Sequence, residues 1–261
     1  MIKEQYATAS LRSVHLALDV LEAVATSEDE IGVSDIAAHL NERKGTIFRH
    51  LRTLVDRGYL AQHSSTQRYR LGYRAHLLGQ MAPDGSDMIA SSTDAMKTLR
   101  DATGQTVVLS AVESNAVVVL KTVLGTSTFE IGVKPGSKLP VRSSAQGKIA
   151  LAFAAHPLQL KSAKEARSPN SSQSDPAKLQ RELAEVRKKG WATAPEEMMA
   201  GINALAAPIL NEGGVCVGVV ALVGLLQFIP AKPDSGQVAA VRAAALDISA
   251  RMGYREQAIR A

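Results

Sequence analysis

Apolar positions recur at three- and four-residue steps over residues 13–26, where Val14, Leu18, Leu21 and Val24 stand with Ala17 and Ala25 beside them. That spacing predicts an amphipathic helix with Ser13 as its N-cap. Ser34 then serves as a second cap for a short helix marked by Ile36, Ala37 and Leu40 and stopped at Asn41. A third helix is expected over about residues 44–57. Ile47, Leu51, Leu54 and Val55 share its apolar face, Lys44, Thr46, Phe48, Arg49 and Arg52 lie opposite, and Gly58 closes it. The next run, YLAQHSSTQRYRLG, alternates about Ser64–Gln67: Tyr59, Leu60 and Ala61 enter the turn, and Tyr69 and Leu71 leave it. Period two puts Arg68 and Arg70 on the face away from the apolar residues. Helix, short helix, basic helix and hairpin over residues 10–72 predict a winged helix-turn-helix.

Residues 73–82, YRAHLLGQMA, continue as a linker helix broken by Pro83, Asp84 and Gly85, so residues 73–85 divide this module from a second one over residues 86–255. The second module opens with a helix over roughly residues 86–103, with Met88 or Ile89, Met96 and Leu99 on its apolar side and Gly104 at its end. Thr106–Val112 and Ala116–Val123 are valine-rich and joined by Glu113, Ser114 and Asn115, an antiparallel hairpin. Thr128–Val133 is expected as a third strand. Ala204–Leu210 and Val215–Leu225 form a later hairpin around Asn211–Gly214, and helices are expected over residues 144–155, 175–189 and 235–253. Arg167–Asp175 has loop composition. Hairpins interleaved with helices predict an α+β fold in which an antiparallel sheet is flanked by helices. Neither an internal repeat nor a heptad pattern is present.

Charge changes the picture more than composition does. The 261 residues are 46% apolar and 21% charged with a net charge of +5, which is ordinary for a globular chain. Residues 1–42, however, carry two basic residues against eight acids, whereas residues 43–74 carry eight basic residues, seven of them arginine, against Asp56 alone. A solvated helix face would leave such charge unused, but here charge, helix face and hairpin agree. They point to double-stranded DNA: the third helix, with Lys44, Thr46, Arg49 and Arg52 on its outer face, enters the major groove with Arg49 as the leading contact, the wing rides the adjacent phosphates or minor groove, and Lys44, Arg68 and Arg70 act mainly through phosphates. Arg57 and Arg74 stand at element ends, where capping or solvation is the expected role. Cys216 alone cannot form an intrachain disulfide or a thiolate zinc cluster and fits a reducing compartment. MIKEQYATASLRS lacks a signal-peptide core, and the apolar stretch 202–229 is interrupted by Asn203, Pro208, Asn211, Glu212 and glycines. The expected location is cytoplasmic, with no membrane partner.

Nothing points to catalysis. G-x-S-x-G, H-E-x-x-H, G-x-G-x-x-G and the P-loop are all missing, and Gln146-Gly147-Lys148-Ile149 lacks the Ser or Thr that magnesium needs. His15, His39, His50, His63, His76 and His156 are scattered, so no metal, cofactor or catalytic residue is expected. The alternative is an enzyme with an appended DNA-binding module; a purely architectural DNA-binding protein leaves the second module without a role. Cys216 reads as a buried, inert thiol. Trp191 reads as core or as pocket lining, and Glu196-Glu197 as a solvated helix start. Two places suit a small ligand. One is the helix start at Ser143–Lys148, where amides and hydroxyls bind anions, although either serine alone is accounted for by capping. The other is Gly201–Ala204, where small residues leave space and Asn203 offers donor and acceptor.

The string Gly32–Gly72, with its KGTIFRHLRTLVDRGYL helix and QRYRLG wing, resembles the IclR family of bacterial transcriptional regulators. The resemblance continues through KPGSKLPVRSSAQGKIALA and RKKGWATAPEEMMAGINALAAPILNEGGVCVGVVALVG, which are similar to signature stretches of that family's effector-binding domain. It implies a GAF-like sheet and a homodimeric or homotetrameric repressor or activator that senses a small molecule and binds a pseudo-palindromic operator. Together with the two candidate places, it marks Ser144, Ala145, Gly147, Ala194, Ile202, Asn203, Ala204, Ala221 and Val223 as ligand-binding positions. In relatives that sense small oxo-acids, the same resemblance sets an acidic side chain at position 194, a cysteine at 204 and serines at 221 and 223. Their apolar replacements here imply a larger or more apolar effector, an organic or aromatic acid or amide of a catabolic pathway. Its binding is expected to bias the arrangement of subunits, with residues 73–85 carrying that preference to the paired wings.

Overall fold

In the N-terminal half, three helices close around an apolar centre of Val20, Val24, Ile36, Ile47, Leu51 and Leu60. They are α1 (Arg12–Ala25), α2 (Val33–His39) and α3 (Lys44–Asp56). The computed structural model describes residues 11–27, 29–81, 83–113, 116–128, 131–153 and 176–255. Contacts divide the chain into two units, Met1–Pro83 and Asp84–Ala261. Neither expected serine caps its helix. Helical bonding begins earlier, at His15 N to Leu11 O and Ile36 N to Gly32 O, so Leu11 and Gly32 hold the cap positions and Ser13 and Ser34 fall inside the first turn. Asn41 (φ 51°) and Gly58 (φ 75°) take the left-handed conformation that ends α2 and α3.

The hairpin pairs β1 (Leu60–Gln62) with β2 (Tyr69–Leu71), Leu60 opposite Leu71 and Gln62 opposite Tyr69. Ile31 adds an isolated antiparallel bridge to Tyr69, which ties the wing back to the segment before α2. The alternation holds at buried Tyr69 and fails at Leu71, which is exposed. The linker helix α4 (Tyr73–Met81) buries no side chain. The helix after it, α5 (Pro83–Thr103), starts at Pro83 itself, so Asp84 and Gly85 lie within it. Proline lacks the amide that a first turn leaves unbonded, and it therefore opens this helix where it was expected only to break the preceding one.

Gly45, the second residue of α3, is exposed, and a Cβ built there would meet nothing within 4 Å. Packing does not require a glycine at this point. Gly45→Ala is expected to stabilise the N-terminal unit by roughly 0.5–1 kcal/mol, read as a higher denaturation midpoint; a lower midpoint contradicts it.

The C-terminal unit is a six-stranded antiparallel sheet in the order β5-β4-β3-β8-β7-β6. Its strands are β3 (Thr106–Val112), β4 (Val117–Val123), β5 (Lys138–Leu139), β6 (Ala192–Thr193), β7 (Ile202–Leu210) and β8 (Cys216–Leu225). The expected strand at Thr128–Val133 is not one over its described residues, Thr128 and 131–133. There the Thr122 hydroxyl donates to the Val133 carbonyl, a side-chain tether in place of a backbone ladder, and β5 pairs with β4 instead. One face of the sheet packs on α5 and α8 (Ser235–Arg251) through Met96, Leu99, Val241 and Ile248. The other packs on α6 (Ala145–Phe153) and α7 (Pro176–Lys189) through Ala145, Ile149 and Val186. Coverage of both faces explains why β8 reads as an unbroken apolar run rather than an alternating one. The expected loop Arg167–Asp175, His156, Ser114–Asn115 and the end of the 144–155 helix lie outside the described residues. No helix among the described residues is long and apolar enough to cross a membrane.

Cys216 is buried on β8, where burial pushes its thiol up to about 12 while the Gly218 carbonyl accepts from Sγ at 3.3 Å. The stabilisation from keeping this thiol neutral is complete below the ordinary value of 9.0 and is lost as the pH rises toward 12. Iodoacetamide at pH 8 should therefore label Cys216 only after unfolding; rapid labelling of the native protein would contradict the buried placement.

Candidate functional site

The first site is the basic surface of the N-terminal unit. Burying Ile47, Leu51 and Leu54 turns the opposite side of α3 outward, so Lys44, Arg49 and Arg52 are exposed and Thr46 is half-buried. A groove between α1, α2 and α3 is lined by Arg12, Asn41, Arg43, Lys44, Thr46 and Arg49, while Arg52 lies outside it. Arg43 and Arg12 were not among the expected contact residues. Arg43 precedes the helix whose face was read, and Arg12 lies 30 residues from its partner Glu42, which it meets at 2.6 Å.

Both expected wing arginines are exposed, but neither is unattached. Arg68 Nη1 donates to the Glu30 carbonyl oxygen at 2.8 Å, and Arg70 Nε lies 3.7 Å from Glu30 Oε1. Thr66 Oγ1 also donates to Glu30 Oε2 at 3.4 Å. The acidic stretch before α2 thus supplies the anchor of the wing, a pairing across 38 residues that no local pattern carries.

The second site is the sheet face beneath α6. Ala194, Ala221 and Ala145 belong to one cluster there, Val223 to the adjoining one, with Ile202 and Ala204 packed alongside. Ser144 is the N-cap of α6: its hydroxyl donates to the Pro140 carbonyl at 2.7 Å and accepts from Gly147 N at 2.9 Å. That hydroxyl is engaged in capping the helix. The amides of Ala145 and Gln146, next in the turn, have no partner among the described residues. Gly147 is fixed by close approach, since a Cβ there would stand 2.3 Å from Val141 Cα.

Asn203 is also engaged within the fold. Being one residue out of phase with Ile202 and Ala204 on β7, it turns away from α6. Its Nδ2 donates to the Ile229 and Pro230 carbonyls at 3.0 Å each, and its Oδ1 accepts from Ala194 N at 3.3 Å and Ala204 N at 2.8 Å. Its amide donors and acceptor are thus all engaged, tying β7 to Ala194 and to the Ile229–Pro230 segment. Trp191 packs with the α5–α8 cluster on the sheet's other face, with Lys189 Nζ 5.6 Å from its ring centroid.

Lys148 and Glu197 carry the largest departure from expectation. Lys148, only 1% exposed, donates from Nζ to Glu182 Oε1 at 2.6 Å, Glu197 Oε1 at 2.5 Å and the Thr193 carbonyl at 3.3 Å. Glu196 and Glu197 lie in the turn between β6 and β7, not at a helix start: Glu196 N donates to the Ile202 carbonyl, and Glu196 Oε1 accepts from Gly201 N at 2.9 Å. One cation therefore joins α6, α7 and the β6–β7 turn at the edge of the face. Among the described residues, no group of three His, Cys, Asp or Glu is placed to hold a metal ion.

Residues 13–64 match the family model described as the IclR helix-turn-helix domain, and residues 80–250 match the model described as bacterial transcriptional regulator IclR C-terminal. The chain is 28% identical over 251 residues, 95% of each chain, to the HTH-type transcriptional regulator KdgR of Escherichia coli K12. It is 28% identical over 255 residues to the HTH-type transcriptional regulator BhcR of Paracoccus denitrificans, covering 96% of this chain and 91% of that one. A solved IclR transcriptional regulator from Alicyclobacillus acidocaldarius superimposes with a TM-score of 0.72 at 25% identity, covering 94% of this chain and 100% of that one. An IclR homolog from Microbacterium hydrocarbonoxydans, solved in complex with 4-hydroxybenzoate, gives a TM-score of 0.76 at 23% identity, covering 92% and 98%. The matched families and these relatives are regulators of transcription, not enzymes.

Proposed function

The chain belongs to the IclR family of bacterial transcriptional regulators, and from there we propose which surfaces read operator DNA and which kind of effector controls it. α3 enters the major groove, with Arg49 directed at base edges and Lys44 and Thr46 at its start. Arg52, Arg68 and Arg70 meet phosphates. The operator is a pseudo-palindrome bound by a homodimer or a pair of dimers. Removing Lys44 should weaken binding about equally on all sequences and lower the salt slope by about 1. A salt slope identical to that of the unaltered protein would take Lys44 off the phosphate backbone.

The effector is an aromatic carboxylic acid, bound beneath α6. One observation carries this reading: the Ala145 and Gln146 amides, without a partner among the described residues, start a helix whose Ala145 packs in one cluster with Ala194, Ala204 and Ala221, next to the cluster that holds Val223. Amides at a helix N-terminus favour an anion, while the surrounding hydrocarbon favours an apolar body. The 4-hydroxybenzoate complex of the Microbacterium homolog accords with this class of ligand. In a thermal-shift comparison, benzoate and 4-hydroxybenzoate should raise the melting temperature, because a ligand specific to the native state stabilises it. A rise with glyoxylate or pyruvate and none with the aromatic acids would reverse the assignment. Whatever factor the effector imposes on operator affinity, the operator must impose on effector affinity.

A further inference from the structure

Glu42 is the one carboxylate among the described residues that line the groove between α1, α2 and α3, which it shares with Arg12, Arg43, Lys44 and Arg49. It stands two residues before Lys44, at the start of the helix assigned above to the major groove. A recognition helix presents its N-terminal residues to base edges, between two backbones dense in negative charge. A free carboxylate at that place repels the partner that the surrounding cations attract. Glu42 is not free: Arg12, the first residue of α1, donates from Nη2 to Glu42 Oε1 at 2.6 Å. Among the described residues, neither side chain has a further hydrogen bond or ion pair.

Stability does not account for the pair. The Arg12 side chain is 62% exposed and that of Glu42 25%, and ion pairs open to water contribute little to a fold. Nor does Arg12 belong to the cationic block, since it lies 31 residues before Arg43 in a segment of net negative charge. We propose that Arg12 is a charge mask: it cancels the Glu42 carboxylate where duplex phosphates approach. It thus acts on DNA affinity through Glu42 rather than as a phosphate ligand. In water, one unit charge about 4 Å from a phosphate is worth about fivefold in affinity. The assignment rests on α3 as the DNA-reading helix and adds the pair that makes the start of that helix acceptable to a polyanion.

The test compares the full-length protein with Arg12→Ala, Glu42→Gln and the double variant. Fluorescence anisotropy with a scrambled duplex at low salt reads affinity, and the melting temperature of each protein is recorded. Arg12→Ala should bind about fivefold more weakly, because Glu42 is then unmasked. Glu42→Gln should bind at least as tightly as the unaltered protein. Adding it to Arg12→Ala should recover the loss, a rescue that the double-mutant cycle reads directly. All four proteins should melt at closely similar temperatures, as expected for an exposed pair. A double variant as weak as Arg12→Ala would make Arg12 a phosphate contact, and weaker binding by Glu42→Gln would make the carboxylate itself a DNA contact; either overturns the mask. So does an Arg12→Ala protein that binds like the unaltered one, or one that melts several degrees lower, which would make the pair a brace of the fold. Failure of the unaltered protein to bind the duplex in a salt-sensitive way overturns α3 as the DNA-reading helix, and the mask with it.

Discussion

Replacing Glu182 and Glu197 together with alanine is expected to destabilise the C-terminal unit by about 3–5 kcal/mol, the cost of leaving a buried charge uncompensated. Lys148 Nζ would keep only the Thr193 carbonyl at 3.3 Å, because the ammonium sits under α6 with essentially no exposure. Either single substitution should cost far less, about 1 kcal/mol, since the remaining carboxylate still pairs with the lysine and both glutamates are more than a third exposed. The two effects are thus strongly non-additive, as expected of groups that share a partner. Adding Lys148→Met to the double variant should recover most of the loss by putting a side chain of similar length and no charge in the same space. Urea denaturation of the unaltered protein and the four variants reads all of this. Additive single effects, or no recovery with methionine, would mean that the ion cluster does not hold α6, α7 and the β6–β7 turn together.

Arg49→Ala is expected to weaken operator binding by roughly 1–3 kcal/mol, about 5- to 150-fold, with discrimination relaxed at one base position. Arg49 combines two properties: it is exposed on the side of α3 opposite Ile47, Leu51 and Leu54, and it lines the groove between the helices. Arg52, one turn further along, is exposed but lies outside that groove. Its loss should cost less, and equally on every sequence, as for a phosphate contact. Fluorescence anisotropy with operator and scrambled duplexes at two salt concentrations separates the cases. An operator affinity unaltered by Arg49→Ala would move base reading elsewhere on α3.

What could be read from the chain was whatever a local period carries. Residues three and four apart in α3 share a face, so burial of Ile47, Leu51 and Leu54 and exposure of Arg49 follow from a single count. Helix starts were less legible: Ser13 and Ser34 have the chemistry of a cap, but the helices begin one residue before each of them. Face assignment failed where alternation vanished. Asn203 was grouped with its neighbours at the start of β7, although a strand sends it to the opposite side from Ile202 and Ala204. The contacts with no local signal are those made across long sequence separations: Glu30 with Arg68, and Lys148 with Glu182 and Glu197. A strand that is apolar on both faces, such as β8, gives no phase of its own, so which of its residues face α6 follows only from its pairing with β3 and β7.

The wing arginines hold Glu30 by different chemistry, Arg68 through a main-chain oxygen and Arg70 through the carboxylate. A main-chain oxygen survives every substitution. Neutralising the Glu30 side chain therefore frees one cation and keeps the other moored, so the positive charge that the wing offers a polyanion is adjustable by a single step from a residue outside the hairpin, without surrendering the anchor at its tip.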